Sequence, residues 1–405
     1  MPGSGESMGR RDRHIATRIA ALGAVVLALW AVTDLVTPRT VAWEDTLLSG
    51  LRVERAEGLV IQDRMGDVTW ATMGFSIYRS VGDAPFERVH TLFPSPSEAW
   101  AGYSATFRRS FRYQELVELM AVSDHELVAF AGGEVFRVDL ATGTDERVHR
   151  LRYYGRGVGR GLMPHGLTRD DTGAIYYGEY PTGRLGPGST VRIYRSADEG
   201  RSWQVAHEFP ARFVRHVHAV QWDPYGQALW VATGDRDSES RVGYSTDGGR
   251  TFRWIGSGSQ RFRAVSLLFQ PERVAWAMDA PRVDSRIVTW HRATGRIELS
   301  EDVLASPGYY ARTIDAFRGV VTLAEREATV LLVEGAQSRT LFHWAVQPDP
   351  SRPHPSVRLM RSSTPADPDA MILNPLRTET EGAAVYRVGL ASATGQVTVA
   401  GLGGR

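Results

Sequence analysis

Residues 215–256 alternate short apolar runs with turn-forming clusters: RHVHAVQWDPYGQALWVATGDRDSESRVGYSTDGGRTFRWIG. Valine, tryptophan, tyrosine and phenylalanine gather in the runs, while glycine, proline, aspartate and serine gather between them. That pattern predicts four short strands, at 218–222, 227–234, 241–245 and 251–255. The second run, LWVATG, has relatives at Val68-Thr-Trp-Ala-Thr, Leu127-Val-Ala-Phe-Ala, Ala174-Ile-Tyr-Tyr-Gly, Val274-Ala-Trp-Ala-Met, Val320-Val-Thr-Leu-Ala and, more faintly, Ala370-Met-Ile-Leu. They recur about every 50 residues, a period that marks a repeat architecture. Four strands per repeat predict a β-propeller of antiparallel four-stranded blades, seven in number, with six as the alternative. Three turns, Asp139–Gly143, Arg292–Gly295 and Ser392–Gly395, each end in a glycine and are expected to join third to fourth strands. Residues 346–369, rich in proline, serine and aspartate, are expected to be an irregular loop between blades.

The amino-terminal pattern is different. Residues 1–14 are polar and carry Arg10, Arg11 and Arg13, and an uncharged apolar run then covers 19–32. A basic start before such a run is an export signal or a membrane anchor, with the arginines on the cytoplasmic side. The expected organisation is a cytoplasmic basic tail at 1–14, an anchor or signal helix at 15–36, a linker at 37–50 and the propeller at 51–405. The body is then outside the cytoplasm, held at the cytoplasmic membrane or secreted if the segment is cleaved.

Composition changes this picture in two places. No cysteine occurs among the 405 residues, which removes disulfides, thiol catalysis and thiolate metal sites together. All 47 basic residues are arginine, so any anion is gripped by guanidinium forks. The net charge of +1 argues neither for nucleic acid nor for an acidic partner; no nucleic acid partner and a monomer are expected.

Ser196-x-Asp198-x-Gly200-x-Ser202-Trp203 and Ser245-x-Asp247-x-Gly249-x-Thr251-Phe252 resemble the Asp-box, or BNR, repeat of the sialidase-like propellers. Ile77-Tyr78-Arg79-Ser80 with Asp83 and Phe86 is similar to a shortened third copy. The resemblance implies the propeller fold over most of 60–400. Asp198 and Asp247 are expected to brace their own turns, and the aromatic residue to pack between sheets. The Phe/Tyr-Arg-Ile-Pro stretch of sialidases is missing, so the resemblance does not carry sialidase activity to this chain.

Propeller geometry brings first-strand starts and second-strand ends to one mouth of the central channel. Four consecutive repeats offer His165, His218, Arg263 and Arg312 at the first position, and Glu179, Asp235, Asp279 and Glu325 at the second. Arg215 and His216 precede one of these starts, and Tyr309 and Tyr310 another. Three chemistries fit the set. An anionic, hydroxyl-rich glycan could be held by arginine forks, carboxylates and stacking tyrosine. Asp235 and Asp279 could act as acid and base on a glycosidic bond, or His218 could take a proton. His165, His216 and His218 could bind a divalent metal with Asp235 or Glu179; no other cofactor is expected. The favoured reading is an extracytoplasmic sialidase-like propeller that binds, and cleaves if it is an enzyme of the glycoside hydrolase or lyase kind, a glycan or other acidic ligand. The alternative is a non-enzymatic scaffold or assembly factor.

Overall fold

The computed structural model describes residues 38–92 and 117–395, apart from 156, 187, 336, 347–353, 362, 365–368 and 379–381. The expected amino-terminal anchor lies outside the described residues, and among these no helix is long and apolar enough to cross a membrane. The architecture is all-β. Seven antiparallel sheets of four or five strands follow one another along the chain, and a three-stranded sheet is added between the second and third.

The 216–257 sheet sets the pattern. Its strands His216–Asp223, Ala228–Gly234, Arg241–Ser245 and Arg253–Ser257 pair in chain order, each antiparallel to the last. The fourth starts two residues later than the apolar pattern suggests, because Thr251 is engaged by Asp247 in the preceding turn. All seven LWVATG-like runs form the second strand of a sheet. These strands are apolar on both faces because a sheet packs against each side of them. Trp70, Trp230 and Trp276, one in each of three second strands, are fully buried between sheets.

First strands of neighbouring sheets lie side by side, as Leu167–Arg169 does against His216–Asp223 and Leu268–Phe269 against Gly308–Thr313. As inner edge strands they carry backbone groups without a strand partner, and buried side chains supply the missing bonds. Gln221 accepts from Leu267 N at 2.7 Å, and Gln62 accepts from Leu119 N at 3.1 Å while donating to Val117 O at 2.7 Å.

Three expectations are corrected at the closure. Residues 37–50 are not a bare linker, since Thr40–Val41 pairs with Phe86–Thr91 and Glu44–Leu48 with Leu51–Glu57. Ser392–Gly395 is no strand-joining hairpin but part of the short helix Leu390–Gly395. The fourth-strand place beside Ala384–Gly389 is taken by Leu51–Glu57 from the other end of the chain, with Arg387 NH2 donating to Glu54 Oε1 at 2.6 Å. The stretch 346–369 is not all loop either, because Ser356–Arg358 is the inner strand of this closing sheet.

Candidate functional site

The start of His216–Asp223 carries two imidazoles, and a β-bulge aims one of them. Pairing passes from Val217↔Thr233 directly to Ala219↔Ala232, so His218 is the extra, unpaired residue. Such bulges redirect a side chain next to a site. Both rings are buried. His216 Nδ1 lies 2.9 Å from Pro181 O, and His218 Nδ1 lies 3.1 Å from Ala264 O. A carbonyl oxygen can only accept, so each Nδ1 carries the hydrogen and each neutral ring turns a lone pair out from Nε2. The two Nε2 atoms are 2.9 Å apart. Asp235 Oδ1 is 3.2 Å from the first and 3.3 Å from the second. Three lone pairs therefore meet at one point, and their repulsion is relieved only by a proton or a metal ion shared among them. Tyr180 stacks on His216 with centroids 4.1 Å apart and fixes its plane.

Around this triad run two guanidinium groups. Arg215 NH1 donates to Asp235 Oδ2 at 2.9 Å. Arg263, from the next sheet, reaches Asp235 Oδ1 with NH2 at 3.4 Å and donates from Nε to Asp279 Oδ2 at 3.0 Å. Asp279 is 4% exposed, and its Oδ1 has no partner. Asp235 thus has two guanidinium groups, whereas Asp279 shares Arg263 with it. Burial opposes the charge on Asp235, but a proton on the imidazole nitrogens that face it outweighs burial and holds the carboxyl well below the usual range. Burial pushes Asp279 up to about 8 against the pull of Arg263, and the charges of Glu325 and Asp235 add to the rise. At neutral pH Asp235 is ionised while Asp279 keeps its proton. Two carboxyl groups held apart in this way can divide acid and base roles. Burial holds His218 down to about 4, and raises the Tyr180 hydroxyl to about 12 and that of Tyr309 well above its usual value.

The other expected residues divide. Glu179 is at the neighbouring sheet: its Oε2 accepts from Arg192 N at 2.8 Å and lies 3.6 Å from Arg152 NH1, its Oε1 has no partner, and burial pushes it to about 7. Its main-chain oxygen accepts from Val217 N at 3.0 Å, which ties it to the histidine strand. Glu325 is part of the electrostatic surroundings of Asp279 and Tyr309, and its φ of 76° puts it in the left-handed region. His165 does not join the triad. It sits in the 3-10 turn Pro164–Gly166, fully buried, with Nδ1 2.7 Å from Ser266 Oγ and Nε2 3.2 Å from Leu359 O, and burial holds it down to about 3. A ring that gives its Nε2 hydrogen to a carbonyl has no lone pair there for a metal. Tyr310 packs against His165 in a tilted arrangement with centroids 4.7 Å apart, and it is Tyr309, one residue earlier, that neighbours Asp279.

Arg312 is a correction of register. The strand starts at Gly308, which pairs with Leu323, and a bulge follows before Ala311. Arg312 is thus near the strand's far end, donating to Arg361 O at 2.7 Å and Thr364 O at 3.1 Å. With Asp170, Trp222 and Tyr225 it lines a separate hollow of about 460 Å³.

No family model and no curated protein matches the sequence. Solved structures do. An oligogalacturonate lyase of Vibrio parahaemolyticus superposes with a TM-score of 0.53 at 12% identity, over 87% of this chain and 98% of that one. YCF48 bound to D1 peptide superposes with a TM-score of 0.50 at 10% identity, over 86% of this chain and 96% of that one. The chain is a β-propeller. At such identities the likeness carries the fold and no activity.

On the propeller's outer turns the two Asp-boxes share three side-chain bonds. Asp247 Oδ1 accepts from Ser245 Oγ at 2.7 Å and Thr251 N at 3.0 Å, and its Oδ2 accepts from Thr251 Oγ1 at 2.6 Å. Asp198 makes the matching set with Ser196 and Ser202 at 2.7, 2.9 and 2.6 Å. Trp203 packs edge-on to Phe130 of the preceding sheet at 5.7 Å. Both aspartates are spent on their own turns.

The sequence pattern passes over one buried cluster. Arg358 clasps both oxygens of Glu118, at 3.0 and 2.6 Å, and Arg361 donates to the main chain at Gln62 and Leu119. These two arginines tie the closing sheet to the first two sheets. The alternation Ser356-Val-Arg358 is the strand signal, and the proline-rich surroundings hide it.

Proposed function

We propose that this propeller binds an acidic, hydroxyl-rich ligand, a uronate- or sulfate-bearing glycan, at the channel mouth formed by the sheets that carry His216, Asp235, Arg263 and Asp279. The carrying observation is Asp279, a buried carboxyl with an unpartnered oxygen, hydrogen-bonded to an arginine that also serves the carboxylate of Asp235. Ionised Arg215 and Arg263 against a single ionised Asp235 leave the cluster net positive, which favours an anion. Asp279 Oδ1 is then the group that gives a hydrogen bond, or a proton in a cleavage step, to a ligand oxygen. The Asp-box geometry supports kinship with sialidase-like propellers, and we count the seven larger sheets as blades. The basic start and apolar run at 10–32 support a body working outside the cytoplasm, anchored or exported, and monomeric.

Calorimetric titration of the purified full chain with uronate and sulfated oligosaccharides, alongside a reducing-end assay, tests the reading. Binding that weakens at least about 10-fold in Arg215→Ala, the loss of one charge-assisted contact, and is unchanged in Arg312→Ala is expected. Release of reducing ends that vanishes in Asp279→Asn assigns catalysis. A folded protein that binds none of these ligands removes the proposal in favour of the scaffold reading, which the peptide-bound YCF48 neighbour brings to mind.

A further inference from the structure

We infer that His216, His218 and Asp235 form a binding site for one divalent first-row transition ion. The inference deepens the channel-mouth reading and rests on the same pocket, but not on the identity of its ligand. The three donor atoms, His216 Nε2, His218 Nε2 and Asp235 Oδ1, are separated by 2.9, 3.2 and 3.3 Å. Donors about 2.1 Å from an ion stand about 3.0 Å apart at right angles and about 3.4 Å apart at tetrahedral angles. The observed set matches one face of an octahedron, opened slightly. Two imidazoles and one carboxylate on one face is an arrangement suited to ferrous iron and its neighbours, which accept mixed nitrogen and oxygen donors.

The surroundings are those of a ligand set. Each imidazole turns its other nitrogen to a main-chain carbonyl, Pro181 or Ala264, which fixes the tautomer and leaves Nε2 as the donor. The second oxygen of Asp235 is held by Arg215. Tyr180 clamps the plane of His216 from one side. The bulge at His218 brings its ring to the same point as that of His216. Among the described residues no other group of three histidine, aspartate or glutamate side chains converges in this way. Arg215 and Arg263 oppose the charge of a dication, and the ionised carboxylate of Asp235, in contact with both, offsets them in part. The ion's free positions would accept oxygens of an anionic ligand, which links the metal to the proposed function.

The test is metal binding by the full-length protein after chelator dialysis, with Mn(II), Fe(II), Co(II) and Zn(II) added singly and no carbohydrate present. One ion per chain is expected, with the weak Co(II) absorption of a six-coordinate site. Affinity should fall at least about 100-fold in His216→Ala, in His218→Ala and in Asp235→Asn, beyond the effect of losing an outer contact. His165→Gln should bind as the parent does. Folding of each variant is checked by circular dichroism without metal, and Asp235→Asn, nearly isosteric, covers the case in which a histidine variant unfolds. Failure of the parent to bind any of the four ions overturns the inference, as does undiminished binding in the three variants. So does a nitrogen NMR signature of a proton shared between the two rings that persists with stoichiometric metal. Metal binding without any oligosaccharide binding leaves the metal site standing and removes the glycan reading alone.

Discussion

Replacing Asp279 by asparagine isolates the most consequential charge in the cluster. The side chain is buried, one oxygen bonds Arg263, and the other has no partner. Burial raises its pKa from 3.8 to about 8. For an acid shifted upward, the unfolded chain ionises first. Between about pH 4 and pH 8 the folded state therefore holds a proton that the unfolded state has lost, and stability falls as pH rises. Each unit is worth about 1.4 kcal/mol, so the cost reaches about 4 kcal/mol near pH 7. Asparagine has the shape of the protonated acid and carries no such cost. Its amide adds an unpaired buried donor, at about 1–3 kcal/mol. The difference predicts that Asp279→Asn stabilises the protein by roughly 1–3 kcal/mol at pH 7, and does not stabilise it at pH 4, where the unfolded parent is only about half ionised and keeping the proton costs under about 1 kcal/mol. Urea unfolding at pH 4, 5, 6, 7 and 8 gives the curve. A difference that does not change with pH would refute the argument. A variant less stable than the parent at pH 8 would do so more strongly, because it would mean an ionised Asp279 paired with Arg263.

Arg263→Ala removes the hydrogen bonds to Asp279 and to the Asp235 main chain and should cost about 1–3 kcal/mol in the same unfolding assay, since Asp235 keeps Arg215 and Asp279 keeps its proton; no measurable cost contradicts the shared role. Asp247→Ala removes four bonds within one Asp-box turn and should lower stability by about 1–2 kcal/mol, with oligosaccharide and metal titrations unchanged, since the box is far from the mouth in function. Gly200→Ala combines a φ of 87° with a new methyl 2.4 Å from Val128 Cγ2, and should destabilise by about 1–3 kcal/mol, read as a lowered Tm.

How much of this was legible in the sequence depended on which strand carried the information. Second strands are buried on both faces, so runs such as Leu229-Trp-Val-Ala are continuous and recur visibly. That made the propeller and the position of Asp235 and Asp279, at or just past the ends of such strands, readable. First strands are uneven and irregular, from two residues in Leu268–Phe269 to eight in His216–Asp223. Bulges break the alternation in those of His218 and Arg312, so apolar pattern alone aligns Arg312 with His218 although it stands four residues into its strand. The bulge between Gly308 and Ala311 likewise sends Tyr309 to Asp279 and Tyr310 to His165, a division that apolar alternation does not show. The inner strand Ser356–Arg358 escaped because its neighbours look like loop.

The same irregularity explains why the site is where it is. In a regular strand pair every residue opposite another is held by the ladder, and its side chain points along the pleat. Bulges interrupt the first strands at Gln62, at His218 and at Tyr309–Tyr310. Each interruption falls on a residue whose side chain does something other than pack. Gln62 bridges the backbone of the next sheet, His218 joins the triad, and Tyr309 lies by Asp279 while Tyr310 covers His165. An inner strand already lacks a strand partner on its channel side, so an extra residue there costs few bonds. That makes the channel wall the cheapest part of the propeller in which to re-aim polar groups, and the second strands then supply carboxylates at fixed positions opposite them. Straightening the strand by deleting Val217 would bring the bulge residue back into register and move one imidazole off Asp235, whereas a Val217→Ile change keeps the register. The deletion should abolish metal binding and the substitution leave it intact, and equal binding by both would show that the bulge does not aim His218.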